Sequence, residues 1–245
     1  MVPPARVLRV GAPVVALLNV TRDTKIQVRL HASLPALQRR LPHPWVVASS
    51  AQGPHAGANL IAVFSEVLLR QDAGGRPAPD AVDLSATFLI PTVHAGTQDP
   101  AAFILRALTA NPDAVPGRYR VATLASAWHA RARVGEGQHT TVTDEILLHA
   151  VDGGVELRLE YDAGVPVRIQ WSTTVRSVAD PRLARTYHSD ALVDVVHSEP
   201  AGIARARDVR LNVADPPLRD LFDGTERVVS IAAVPWFYRE EFTLD

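Results

Sequence analysis

Along most of the chain, apolar and polar residues alternate or form short apolar runs, and clusters of Gly, Asp and Pro interrupt them at short intervals. The interruptions include Asp72 to Ala78, Gly135 to Gly137, Asp152 to Gly154, Asp162 to Gly164, Asp180 with Pro181, and Asp215 to Pro217. Period-two segments between such turn signals read as antiparallel strands joined by short connections. Strands are therefore expected at Val14 to Asn19, Lys25 to His31, Trp45 to Ala48, Asn59 to Arg70, Asp83 to Ile90, Tyr119 to Ser126 and Trp128 to Val134. Further strands are expected at Thr140 to His149, Val155 to Tyr161, Val165 to Arg176, Thr186 to His197, Ala204 to Val213, Arg227 to Val234 and Trp236 to Thr243.

Three short helices interrupt this pattern. Ser33 is placed to cap one that carries Leu34, Leu37 and Leu41, Asp99 with Pro100 opens one presenting Ile104 and Leu108, and Asp215 with Pro216 starts a third. A chain that is mainly β with a few short helices cannot lay all its strands in one flat sheet. A strongly curled or closed barrel, or a sandwich, is expected, and a curled sheet tends to enclose a cavity of the kind that binds ligands. No repeat, low-complexity tract or linker divides the sequence, so residues 1–245 read as a single domain.

Composition narrows the function classes. Hydrophobic residues make up 47% and charged residues 21%, enough for a sizeable core. The formal net charge of -1 gives no long-range attraction for nucleic acid or anionic lipid. The absence of cysteine removes disulfides, thiolate metal sites and thiol nucleophiles together, and fits a cytoplasmic protein. The apolar stretch Ala12 to Leu18 is shorter than the roughly 18 residues of a membrane span, and Pro3, Pro4 and Pro13 break any signal-peptide pattern around it. It reads as a first strand.

Glu66 is the most informative single position. Its strand, Leu60 to Leu69, is apolar on both faces, so Glu66 points the same way as Phe64 and Leu68 and is expected to be buried. A buried carboxylate either pairs with an arginine or carries a raised pKa suited to proton transfer. Arginines alternate on several other strands, with Arg168 and Arg176 on one face, the pair Arg118 and Arg120, and His129 with Arg131 and Arg133. Polar strand faces of this kind are ordinarily solvated. The nine histidines show no metal-ligand spacing, and no nucleophile elbow, phosphate loop or dinucleotide fingerprint is present, so neither a metal nor a cofactor is expected. Lys25, the only lysine, is the one side chain able to form an imine with a carbonyl. It alternates onto a polar face with Gln27 and Arg29, which reads as solvent-exposed.

Taken in order, several segments resemble the acetoacetate decarboxylase family. They are ALQRRLP at Ala36 to Pro42 followed by Pro44, VFSEV at Val63 to Val67, LRALTANP at Leu105 to Pro112, and the closing LRDLFDGTERVVSIAAVPWFYREEF. The resemblance implies a β-cone or curled, double-barrel-like antiparallel sheet around a largely apolar pocket, with Glu66 on an active-site glutamate. Arg106 matches a family arginine, and Arg22 matches another if the alignment shifts by one residue. The family forms a Schiff base on a desolvated lysine beside a second lysine. Here the position after Pro112 is Asp113, followed by Ala114, and Leu105 and Ala107 replace the glycine and glutamate that usually precede the lysine. Many members assemble as homo-oligomers, which the resemblance leaves open for this chain.

The leading expectation is a lyase- or isomerase-type enzyme, a cyclase of secondary metabolism being one form, that acts without an imine on a hydrophobic carbonyl-bearing or polyketide-like molecule. Glu66 would be its acid/base in enolisation, dehydration or cyclisation, with Phe64, Arg106 and Arg22 contacting the substrate. The alternatives are a non-catalytic small-molecule-binding protein on the same fold and a decarboxylase whose amine has moved to Lys25.

Overall fold

The computed structural model describes residues 16–78, 83–110, 121–136 and 139–243. Its strands are β1 (Leu17–His31), β2 (Trp45–Val47), β3 (Leu60–Asp72), β4 (Asp83–His94), β5 (Pro100–Thr109), β6 (Val121–Val134) and β7 (Thr141–Ala150). They continue with β8 (Gly153–Asp162), β9 (Val167–Ser177), β10 (Ala184–Ser198), β11 (Ile203–Ala204), β12 (Ala206–Val213) and β13 (Arg227–Thr243). One α-helix, α1 (Leu34–Gln38), follows Ser33 as expected, although the Ser33 side chain makes no capping hydrogen bond.

Backbone pairing closes on itself. β1 pairs with β3, β3 with β4, β4 with β5, β5 with β9, β9 with β10, β10 with β13 and β13 with β1, a circuit of seven strands. An arm of β6, β7, β8 and β12 leaves the circuit at β5. Gly153, at the start of β8, lies against this arm's last connection: a Cβ there would come within 2.1 Å of the Ala214 carbonyl oxygen, a separation only glycine avoids.

The core lies outside the circuit, between its outer face and the arm. Ile26, Val28 and Leu30 of β1, Leu60, Ala62 and Phe64 of β3, and Phe88 and Ile90 of β4 pack with Ile146, Leu148 and Leu157 of the arm and with Leu218 and Leu221. Strand parity then sends their odd-numbered neighbours inward. Because the apolar set faces the arm, the circuit's interior receives whatever alternates with it.

Several expectations change. The sheet is mixed, since β5 runs parallel to both β6 and β9. The helix expected after Asp99 is strand β5: the spacing of Ile104 and Leu108 also satisfies period two, and a segment hydrogen-bonded on both edges gains more as a strand. The helix expected at Asp215 is only a 3-10 turn, Pro216–Leu218. Three pairs of expected strands join into β1, β6 and β13. In β13 a register shift between Val234 and Phe237 absorbs Pro235, which has no N–H to donate to a regular ladder. Asp113, Ala114, Arg118, Arg120 and the start of the first expected strand lie outside the described residues. No described helix is long and apolar enough to cross a membrane.

Candidate functional site

The circuit encloses a cavity of about 1080 Å³ lined by residues from all seven of its strands. On β1 the lining residues are Asp23, Lys25, Gln27 and Arg29, and their partners across β3 are Val67, Ser65, Val63 and Ile61. Lys25 is therefore an interior residue. Its side chain is 7% exposed, its Nζ lies 3.1 Å from Asp23 Oδ2 and it stands 3.5 Å from the centre of the Phe237 ring. Asp23 and Lys25 reach the same lumen because residues two apart on a strand share a face, and the irregularity at Pro235 inverts the parity of β13 so that Phe237 and Arg239 line the lumen with them.

Burial dominates the electrostatics of this wall. Loss of solvent pushes the Lys25 amine down to about 8, helped by the positive charge of Arg239 and opposed by Asp23. Burial also lowers the guanidinium of Arg70, assisted by Arg239, and raises the carboxyl of Asp83, which accepts a hydrogen bond from Thr109 Oγ1 at 2.7 Å. Farther along β1, burial pushes Arg29 down to about 10. His55, beside it, falls to about 4 through burial and the charge of Arg29. Chemically, the wall offers a desolvated amine, an adjacent carboxylate and several guanidinium groups. Among the described residues no three of His, Cys, Asp or Glu gather as a metal-binding group.

More than nine-tenths of the chain aligns with solved structures of acetoacetate decarboxylase-like proteins. An acetoacetate decarboxylase-like enzyme from Sphingomonas wittichii RW1 aligns with a TM-score of 0.54 at 14% identity over 93% of this chain and 91% of its own. The enduracididine biosynthesis enzyme MppR aligns with a TM-score of 0.53 at 15% identity, over 96% and 87%. This chain has the acetoacetate decarboxylase-like fold. An acetoacetate decarboxylase itself aligns at 0.50 and 11% identity, over 92% and 87%. At these identities the likeness establishes the fold. No family model matches the sequence, and no curated protein does.

Within the acetoacetate decarboxylase-like fold, the residues expected at the site fall outside the cavity lining. Glu66 shares the face of Phe64 and Leu68, as its parity requires, but that face is the outer one. Its side chain is 39% exposed, with Oε2 3.3 Å from His129 Nδ1 and 3.4 Å from Thr24 Oγ1. The expectation of a carboxyl sealed beside a hollow is thus corrected, because the apolar run around Glu66 packs against the arm and the core ends before residue 66 is reached. Phe64 is a core residue. Arg106 forms a two-point pair with buried Asp215, at 3.0 and 2.9 Å, and exposed Arg22 donates to Gln71 Oε1 at 2.9 Å.

The pocket is largely apolar, as the resemblance implied, but β1 presents an unbroken polar row to it. Sequence reasoning found the row of Lys25, Gln27 and Arg29 and assigned it to solvent. The signal that corrects it is the strand next door: β3 is apolar on both faces, so it separates two enclosed spaces and its neighbour's polar face cannot all be wet.

Proposed function

We propose that this protein is an imine-forming enzyme that uses Lys25 to activate a ketone or 2-oxo compound for bond making or breaking beside the carbonyl. The observation that carries this reading is the chain's one lysine, buried on a cavity wall beside a carboxylate, an aromatic ring and a second cation. A value of about 8 leaves a useful fraction of free amine near neutral pH, the condition for attack on a carbonyl carbon.

In the chemistry that follows, Nζ adds to the carbonyl carbon, and water leaves to give a protonated imine. That imine withdraws electrons from the neighbouring carbon. Asp23, 3.1 Å from the nitrogen, is placed to take the proton released there and give an enamine, and to return it later. Phe237 keeps water from the amine. Arg239 does for Lys25 what a second lysine does in the family this fold resembles. Solved MppR complexes, with pyruvate and with the condensation product of pyruvate and imidazole 4-carboxaldehyde, support carbonyl condensation as chemistry compatible with the fold. In this reading Asp23 takes the acid/base part that the sequence had suggested for Glu66.

Borohydride reduction in the presence of small ketones and 2-oxo acids, followed by peptide mass mapping, tests the proposal. The expected result is a stable adduct on Lys25 that disappears in Lys25→Arg. A second reading, a binding protein in which the Lys25–Asp23 pair only neutralises the wall, rests on the 3.1 Å contact between them. It prevails if carbonyl ligands bind tightly and no adduct forms.

A further inference from the structure

Lys25 pairs with the Asp23 carboxylate within the cavity wall, and Arg70 has the charge of Asp83 near enough to offset part of its own. Arg29 has neither. Its one hydrogen-bonding partner among the described residues is the neutral Gln27 Oε1, at 3.3 Å, and its Nε is enclosed without an acceptor. Only half-buried by exposed area because it borders the cavity, it is still surrounded closely enough for burial to disfavour its charge. His55, next to it, spends its Nδ1 on Ser230 Oγ at 2.7 Å and brings no charge. A cation facing an enclosed space without a counter-charge is costly unless something else supplies one.

The separation of the two cations sets the size of what fits. Lys25 and Arg29 point the same way on one strand, four residues apart, so their side chains enter the lumen roughly 13 Å from each other. Val63, Ile61, Thr87 and Leu89 of β3 and β4 line the wall beside the intervening stretch. We infer that Arg29, with Gln27 and His55, is a carboxylate-binding subsite, and that the substrate is an elongated oxo acid whose carbonyl meets Lys25 while its carboxylate, beyond an apolar spacer, meets Arg29. This rests on the proposed role of Lys25 for the carbonyl end, but the anion subsite stands on its own geometry.

The test uses methyl ketones bearing a terminal carboxylate on short, intermediate and long methylene chains, together with long-chain ketones ending in a neutral alcohol. Binding is measured by calorimetry and adduct formation by borohydride trapping, in wild type, Arg29→Gln, Arg29→Lys and Lys25→Met, each shown to be folded by its thermal transition. Long keto acids are expected to bind and trap best. Arg29→Gln is expected to weaken their binding on the order of ten- to a hundredfold, the worth of a charge-assisted hydrogen bond. It should leave the neutral ketones unchanged, and Arg29→Lys should restore part of the loss. Binding of the long keto acid by Lys25→Met, still sensitive to Arg29, would uphold the subsite even if no adduct ever formed on Lys25. Equal trapping of short, long, charged and neutral ketones, indifferent to Arg29→Gln, would overturn the subsite while leaving Lys25 as the nucleophile.

Discussion

The ionisation of Lys25 is the most direct quantity to measure, because the chain contains no other lysine to obscure it. Protein grown with carbon-13 lysine gives a single ε-methylene resonance, whose chemical shift reports the amine's protonation as pH is raised. The expected midpoint is about 8, against 10.5 for a solvated lysine. At about 1.4 kcal/mol per pH unit, that gap corresponds to roughly 3 kcal/mol by which the folded protein disfavours the ammonium. The contributing groups predict the directions of variants. Phe237→Ala, by admitting water, and Arg239→Gln, by removing a positive charge, should both raise the midpoint, whereas Asp23→Asn should lower it. Stability follows the same linkage. The folded value lies below the unfolded one, so between about 8 and 10.5 the unfolded chain binds more protons and stability rises with pH. Relative to Lys25→Met, wild type should therefore gain up to roughly 3 kcal/mol across that window in urea unfolding, all of the cost being present below about pH 8. A folded-state midpoint near 10.5 that ignores Phe237→Ala would show the amine to be open to water, and the imine proposal would lose its foundation.

Other residues divide cleanly between architecture and cavity. Arg106→Gln strands the buried Asp215 carboxylate, so urea unfolding should show a loss of roughly 3–5 kcal/mol while ketone trapping on Lys25 in the folded protein is unaffected. Phe64→Ala opens a void in the core between β3 and the arm and should cost about 3–5 kcal/mol, again without changing the trapping yield per folded molecule. Glu66→Gln removes a half-exposed contact to His129 and should cost less than about 1 kcal/mol, with the Lys25 adduct forming at the wild-type rate. A loss of adduct in Glu66→Gln with unchanged stability would return Glu66 to the chemistry.

The strand pattern was legible because period two survives any tertiary arrangement: Leu60, Ala62 and Phe64 alternate with Ile61, Val63 and Ser65 whichever side the core lies on. The side itself was not legible. An alternating row such as Lys25, Gln27 and Arg29 has the same appearance facing water or facing a lumen, and only the closing pairs, β4 with β5 and β5 with β9, decide between them. These pairs are long-range and leave no local trace in the sequence. The segment at Pro100 was misread for a related reason, since Ile104 and Leu108 suit one helix face and one strand face equally and the edges that bond it lie far away in the chain. The likeness to acetoacetate decarboxylases found the right fold but carried Glu66 into the site, because a motif aligned by residue type does not report which face of β3 is turned inward.

If imine chemistry runs on Lys25, closure of the strand circuit is what lets an amine on β1 serve it. β1 and β5 both border the cavity, so lumen-facing positions on either present a side chain to the same substrate space. Imine chemistry needs a lysine deprived of water or set near another positive charge, conditions that belong to the lumen more than to any one strand. Phe237 and Arg239 of β13 supply both to Lys25 across the β1–β13 pairing. Asp113 occupies the position that the family resemblance assigns to the lysine, so reintroducing an amine there tests whether the role has moved. In Asp113→Lys, borohydride adducts should still form on Lys25. If Lys25→Met abolishes trapping in that background as well, the cavity has committed its desolvated end to β1, and if trapping transfers to residue 113, the two positions are interchangeable donors to one lumen.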